Sequence, residues 1–248
     1  MSKFTLQNVR LFGAGADYTT RNNRLEIQME AESKDTTAFT ATGNTWHEEL
    51  SGIRSTTITG AGQWEAGDLS MVDDSSYASV GATVPVTVAP QTAADGALAY
   101  LTAYNRQSYT LGGQVGDVVP WQGQWMGTWS LARGLIVATP TIRTATGTGT
   151  IFQYSALATP VLANQYLVGT LHLMSLTVGA SVTATIQTAA TAGFGSPTTR
   201  LTFNAQSAIG GQVFRIAGPI TDQYVRISYT IAGSTPSLLF MSAIGVSA

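Results

Sequence analysis

The chain has 248 residues, of which only 10% are charged, against about 25% in an ordinary soluble domain. With 44% hydrophobic residues, a net charge of −2 and no cysteine, it falls outside the disordered, disulfide-stapled, thiol-catalytic and thiolate-metal classes. No run approaches the roughly 20 apolar residues of a membrane helix. The first residues lack the apolar core of a secretory signal, so assembly in a cytoplasm is expected.

Scarce charge needs a physical cause, because charged side chains normally cover a solvated surface. Here 36 threonines and 26 glycines, with Ser, Gln and Ala, must cover much of it. Hydroxyl-rich sheet faces tolerate this, and so do surfaces buried against other copies, whose centres are depleted of charge. The charge is also unevenly placed. Residues 1–138 carry 8 Lys/Arg and 13 Asp/Glu, whereas residues 139–248 carry 4 Arg and the single acid Asp222. An acidic half joined to a mildly basic one predicts two domains, 1–138 and 139–248.

In chain order, Gly13-Ala14-Gly15 reads as a turn. Leu25, Ile27 and Met29 alternate with Glu26, Gln28 and Glu30, the period of a half-buried strand. Residues 73–76 (DDSS) read as a loop. Residues 92–105 fit a short amphipathic helix through Ala97, Tyr100, Leu101 and Tyr104, and fit a strand through Ala99, Leu101 and Ala103 equally well. Trp121, Trp125 and Trp129 share one face if that segment is a strand, which suits packing more than a sugar platform. Residues 134–138 form a short apolar run, and 144–150 (TATGTGT) a low-complexity opening to the second half. Clear alternation returns at Val182, Ala184 and Ile186, at Leu201 and Phe203, and at Val225, Ile227, Tyr229 and Ile231. Short strands at this spacing with little helix predict an all-β protein of sandwich or barrel type.

Chemistry-bearing patterns are sparse. The two histidines, His47 and His172, are far apart, and no Gly-x-Ser-x-Gly elbow accompanies them. His47 beside Glu48 and Glu49 reads as a solvated turn, and His172 as an outward-facing strand residue. No His pair has zinc spacing, and residues 68–74 lack the glycine and terminal glutamate of a calcium loop. Glu26, Glu30 and Glu32 share one strand face opposite Leu25, Ile27 and Met29, which reads as a solvated or interfacial face and not a glycosidase cleft. The chain is slightly acidic and its Gly-x-Gly turns lack a following lysine, against phosphate cradling or attractive nucleic-acid binding. No enzyme activity, cofactor or metal is expected.

Residues 31–65 read AESKDTTAFTATGNTWHEELSGIRSTTITGAGQWE. Lys34, Asp35, Thr36 and Thr37, then Trp46, Glu48, Glu49, Leu50, Gly52 and Ile53, then Thr56 to Gly60 and Trp64, follow one order. That order resembles the core hairpin of phage tail-tube (major tail) proteins. Residues 111–119 (LGGQVGDVV) look like the strand that closes the same domain. Residues 221–233 are similar to β-sandwich domains appended to such proteins in some long-tailed phages. The chain departs from the pattern in a long stretch before Leu25 and an acid-free strand at 55–60.

The resemblance implies a tail-tube β-barrel domain followed by an outer β-sandwich domain. It implies a structural virion protein whose copies form stacked rings, hexameric in preference to trimeric, around an acidic lumen. Viral DNA would pass through without specific binding, since favourable phosphate contacts would be wells along the path. Partners would be further copies and the tail terminator, tape measure and distal tail proteins, with no membrane. Glu26, Glu30 and Glu32 would face the lumen. Asp35, Trp46, Glu48, Glu49, Leu50 and Ile53 would make contacts between subunits, with Trp46 and Leu50 as apolar anchors. The segment around 25–32 should pair with 55–64. A capsid decoration protein, another ring-forming virion protein or a carbohydrate-binding sandwich are the competing readings.

Overall fold

A computed structural model describes residues 8–36, 49–153 and 161–247, and these are almost entirely β. A tight hairpin of β1 (Arg10–Gly13) and β2 (Ala16–Asp17) leads through a short 3-10 turn to β3 (Asn22–Asp35) and β4 (Glu49–Gln63). After α1 (Val72–Ser79) come β5 (Thr83–Ala89), β6 (Leu98–Leu111), β7 (Pro120–Gly127) and β8 (Ala132–Arg143). The remainder supplies β9 (Gly147–Thr148), β10 (Phe152–Gln153), β11 (Tyr166–Leu176), β12 (Ser181–Ala189) and β13 (Thr198–Thr202). It ends with β14 (Gly210–Ala217), β15 (Tyr224–Ala232) and β16 (Leu238–Ser247).

Eleven strands join in one sheet. It runs β14-β11-β16-β8-β6-β5-β1-β2, with β7, β4 and β3 branching from β6. The branch exists because β6 is long: Leu98–Leu101 pair with β8, whereas Tyr104–Leu111 pair with β7 on the same side. A second, five-stranded sheet of β10, β15, β12, β13 and β9 covers one face of the first. Between them lies a core of Leu167, Leu171, Val182, Ile186, Phe203, Ile227 and Phe240, the two-layer packing of a sandwich. The alternating apolar positions at 182–186, 201–203 and 225–227 are its inward-facing residues.

In the first half, the sheet curls around a separate core containing Leu11, Tyr18, Ile58, Val86, Tyr104, Trp121 and Trp125. Tyr18, Trp121 and Trp125 contact one another with ring centroids 5.6 to 6.4 Å apart, a mutual packing of tilted and edge-on rings. A third core, with Phe12, Leu101, Ile136, Val168 and Met241, lies where the halves meet. Residues 134–138 are buried on both faces of β8, Leu135 and Val137 toward one core and Ile136 toward another. That double burial explains why the run is apolar without alternation. The charge-derived dividing point, 138/139, falls inside β8, which pairs with β6 on one side and β16 on the other.

One reading left open is decided by the structure, and three local expectations differ from it. Residues 92–105 hold no helix; β6 starts at Leu98, and pairing with β5 and β8 settles what periodicity left open. Residues 73–76 lie in α1 instead of a loop: Asp73 and Asp74 occupy its first turn, where the partial positive charge of the helix start favours carboxylates. Residues 112–119 form a loop, not a closing strand, since Gly116 adopts φ of 102° and the next strand begins only at Pro120. His172 is buried, not outward-facing.

Candidate functional site

The longest feature without an apparent packing role is the β3–β4 pair. Leu25 stands opposite Gly60, Ile27 opposite Ile58 and Met29 opposite Thr56, the pairing of 25–32 with 55–64 expected from the hairpin resemblance. Leu25 and Ile27 pack on the first-half core. Beyond them the pair leaves the body of the sheet. β7 accompanies β4 only from Thr57, opposite Met126, so residues 28–36 and 49–55 form a two-stranded arm exposed on both faces. Between Ala31 and Ser33 the register shifts by one, and Gly52 and Ile53 together oppose Glu32. A Cβ at Gly52 would sit 3.2 Å from the Glu32 carbonyl oxygen, so the small residue fits the bulge.

The arm carries apolar side chains in water: Met29 is 66% exposed, Leu50 63% and Ile53 79%. Burying one such side chain is worth roughly 1.5–3 kcal/mol. Among the described residues β3 pairs only with β4, which leaves its outer edge of fourteen residues a template for another strand.

Glu26, Glu30 and Glu32 lie on one face of β3, all exposed. Each has a same-strand neighbour: Arg24 bonds to Glu26 at 3.2 Å, Gln28 to Glu30, and Lys34 to Glu32. The face continues through Thr57 and Thr59 to Gln122 and Gln124, so it is broad, hydroxyl- and amide-rich and carries one net negative charge on β3. Asp35 stands opposite Glu49, and Leu50 opposite Lys34, near the outer end of the arm. Trp46, Glu48 and His47 lie outside the described residues.

At the base of the arm lies a groove of about 560 Å³, lined by Met29, Glu30, Ala31, Arg54, Trp129 and Leu131 together with Ser55, Thr56, Thr128 and Ser130. Trp129 leaves the line of Trp121 and Trp125 because β7 ends at Gly127. Its ring instead holds the guanidinium of Arg215, 4.4 Å away, which also stacks on Tyr166 at 4.6 Å. The groove that Arg54 and Trp129 line was not legible in the sequence, since a groove between a strand and a turn has no periodic signature.

Two ionisable side chains, His172 and Arg106, are buried in the body of the fold. His172 is fully buried on β11, where Nδ1 accepts from the Gly15 N–H at 3.5 Å and Nε2 contacts Thr87 Oγ1 at 2.9 Å. Thr87 Oγ1 also meets Thr170 Oγ1 at 2.8 Å, so the network ties β5 and the β1–β2 turn to β11. Burial pushes the imidazole pKa down to about 3. Arg106 is buried beneath Gly123, its guanidinium 4.4 Å from the Trp125 ring, with its pKa lowered by desolvation. Among the described residues no cluster of three His, Cys, Asp or Glu could hold a metal ion.

No protein-family model matches this chain, and no curated protein does. Among solved structures, a chain of the virion of the native gene transfer agent particle is 20% identical with a TM-score of 0.40, and the match covers 50% of this chain and 94% of that one. A chain of the tail of the empty gene transfer agent particle, refined with C6 symmetry, is 21% identical with a TM-score of 0.39, covering 50% and 92%. The SPP1 Dit protein, from the hub adsorption apparatus of phages infecting Gram-positive bacteria, is 9% identical with a TM-score of 0.34, covering 98% and 100%. Likeness at this level carries no functional argument, which rests on the chain's own residues.

Proposed function

We propose that the chain is a structural subunit of a phage-type tail, a tail-tube protein whose copies form stacked rings. The observation that carries this reading is the β3–β4 arm. It combines a β3 edge with no strand partner among the described residues, exposed Met29, Leu50 and Ile53, and a polar face bearing Glu26, Glu30 and Glu32. It also coincides with the segment that resembles the tail-tube hairpin.

Such an edge and an exposed apolar arm are liabilities in a monomer and assets in a ring, where the neighbouring copy covers both. The Thr-, Gln- and Glu-bearing face supports a lumen role, because it offers DNA phosphates no cationic wells beyond the paired Arg24 and Lys34. Asp35, Glu49, Leu50 and Ile53 would lie in contacts between copies, and the sandwich of the second half would face outward. Viral DNA is then a passenger, and the other tail proteins are the partners at either end.

Negative-stain imaging of the purified protein tests this. Rings or tubes with a central channel are the expected result. A monodisperse monomer at high concentration, together with its absence from purified tails, would overturn the proposal. Location on the head would instead favour a decoration protein.

A further inference from the structure

We propose that the groove at the base of the arm receives the 112–119 loop of a second copy, with Arg54 of one chain paired to Asp117 of the next. This rests on the reading of the chain as a stacking subunit and names the surfaces that stack.

The two surfaces are complementary in chemistry. The groove presents Met29, Ala31, Trp129 and Leu131 beside serine and threonine hydroxyls, and its lining holds one cation, Arg54, and one anion, Glu30. Arg54 is exposed and has no carboxylate partner among the described residues. The loop is the reverse: Val115 and Val118 are fully or largely exposed, Leu111 and Val119 partly so, and Asp117 is the single acid among them. Asp117 is likewise exposed and without a cationic partner among the described residues. Glu30 also belongs to the lining, but strand alternation turns its carboxylate to the opposite face of β3 from Met29 and Ala31, where Gln28 bonds it.

Their placement is complementary as well. The loop enters β7 at Pro120, and the groove begins where β7 ends at Gly127. Seven steps of about 3.3 Å put the two surfaces about 23 Å apart, at opposite ends of one strand. One molecule therefore cannot bring its own loop to its own groove. Different patches at opposite ends make a heterologous contact, which propagates head to tail instead of closing as a dimer. Gly112, Gly113 and Gly116 leave the loop free to adapt: a Cβ at Gly112 or Gly116 would meet nothing within 4 Å.

The test is a charge exchange read by sedimentation and negative-stain imaging of the full chain. Arg54→Glu and Asp117→Arg should each raise the concentration needed for tube growth roughly tenfold, and the double variant should recover most of the loss, since coupled partners are non-additive. Circular dichroism of both single variants should match the wild type, because both residues are exposed. Because the chain lacks cysteine, Ala31→Cys with Val115→Cys gives an independent readout, a disulfide ladder of multimers under mild oxidation. If the wild type forms tubes and the single reversals grow them normally, the docking assignment is wrong while the tail reading stands. Equal losses without rescue, or no ladder from the cysteine pair, also overturn it. A wild type that forms no assembly sinks the tail reading itself.

Discussion

His172 shows how one side chain sets a condition on the whole fold. With Nδ1 accepting from Gly15, the ring proton sits on Nε2 and is donated to Thr87, so the neutral imidazole satisfies both nitrogens. Protonation would place a donor against the Gly15 N–H in a fully buried site. The folded state holds the pKa near 3, while the unfolded chain takes its proton near the ordinary value of 6.5. Below that value the unfolded state binds more protons, so stability falls as pH falls, by up to about 1.4 kcal/mol per unit between 6.5 and 3. Urea melts between pH 4.5 and 8 should show this slope, and His172→Gln should flatten it; an unchanged slope would show that other groups control acid stability.

Arg106 is the opposite case. Among the described residues none of its guanidinium nitrogens makes a well-formed hydrogen bond, and the nearby Tyr18 hydroxyl with stacking on Trp125 and Tyr109 offsets only part of the desolvation. Arg106→Met keeps the volume and removes the charge. It is expected to raise the melting temperature, by an amount equivalent to about 1–3 kcal/mol. Trp125→Ala, which opens a large cavity beside it, should cost about 3–5 kcal/mol. Calorimetry of the two variants separates these effects, and a destabilised Arg106→Met would show that the guanidinium has partners that matter.

At the scale of elements, the arm and the sheet body obey different rules. Within the body, Ile58 and its neighbours are held by packing, and β-branched alternation suffices to place them. The arm has no second layer beneath it, so its apolar residues add nothing to the isolated fold. Ile53→Asp and Leu50→Asp should therefore change monomer stability by less than about 0.5 kcal/mol while blocking assembly. Paired thermal melts and sedimentation check this. A large loss in melting temperature would mean that these side chains are packed within the monomer.

For the whole molecule, β8 decides how separable the two halves are. It carries Leu135 and Val137 into the sandwich core and pairs with β16 along most of its length. A fragment covering 139–248 starts inside that strand and leaves the β16 edge bare over half of it. A fragment covering 132–248 keeps the strand. The longer fragment should give cooperative melting and dispersed NMR spectra, and the shorter one should aggregate or melt broadly. Equal behaviour of the two would support an independent second domain beginning at 139.

Some of this was fixed by the chain's local chemistry. Period-2 alternation at 25–29, 182–186 and 225–231 needs only one buried face, so all-β architecture was legible from residue order alone, whereas the β3–β4 pairing was anticipated through the resemblance of 31–65 to a hairpin. The absence of cysteine and the scarcity of charge likewise excluded whole classes of chemistry before any coordinate. Tertiary structure decided what depends on partners distant in sequence. Residues 92–105 suited two periods until β5 and β8 flanked them. His172 looked outward until β5 covered it, 85 residues away in sequence. The line of three tryptophans broke because β7 stops before Trp129. The groove with Arg54 exists only because β4 outruns β7, a difference in strand length that no local pattern encodes. Burial on one face is written in the order of residues; which element does the burying depends on contacts between segments far apart in the chain.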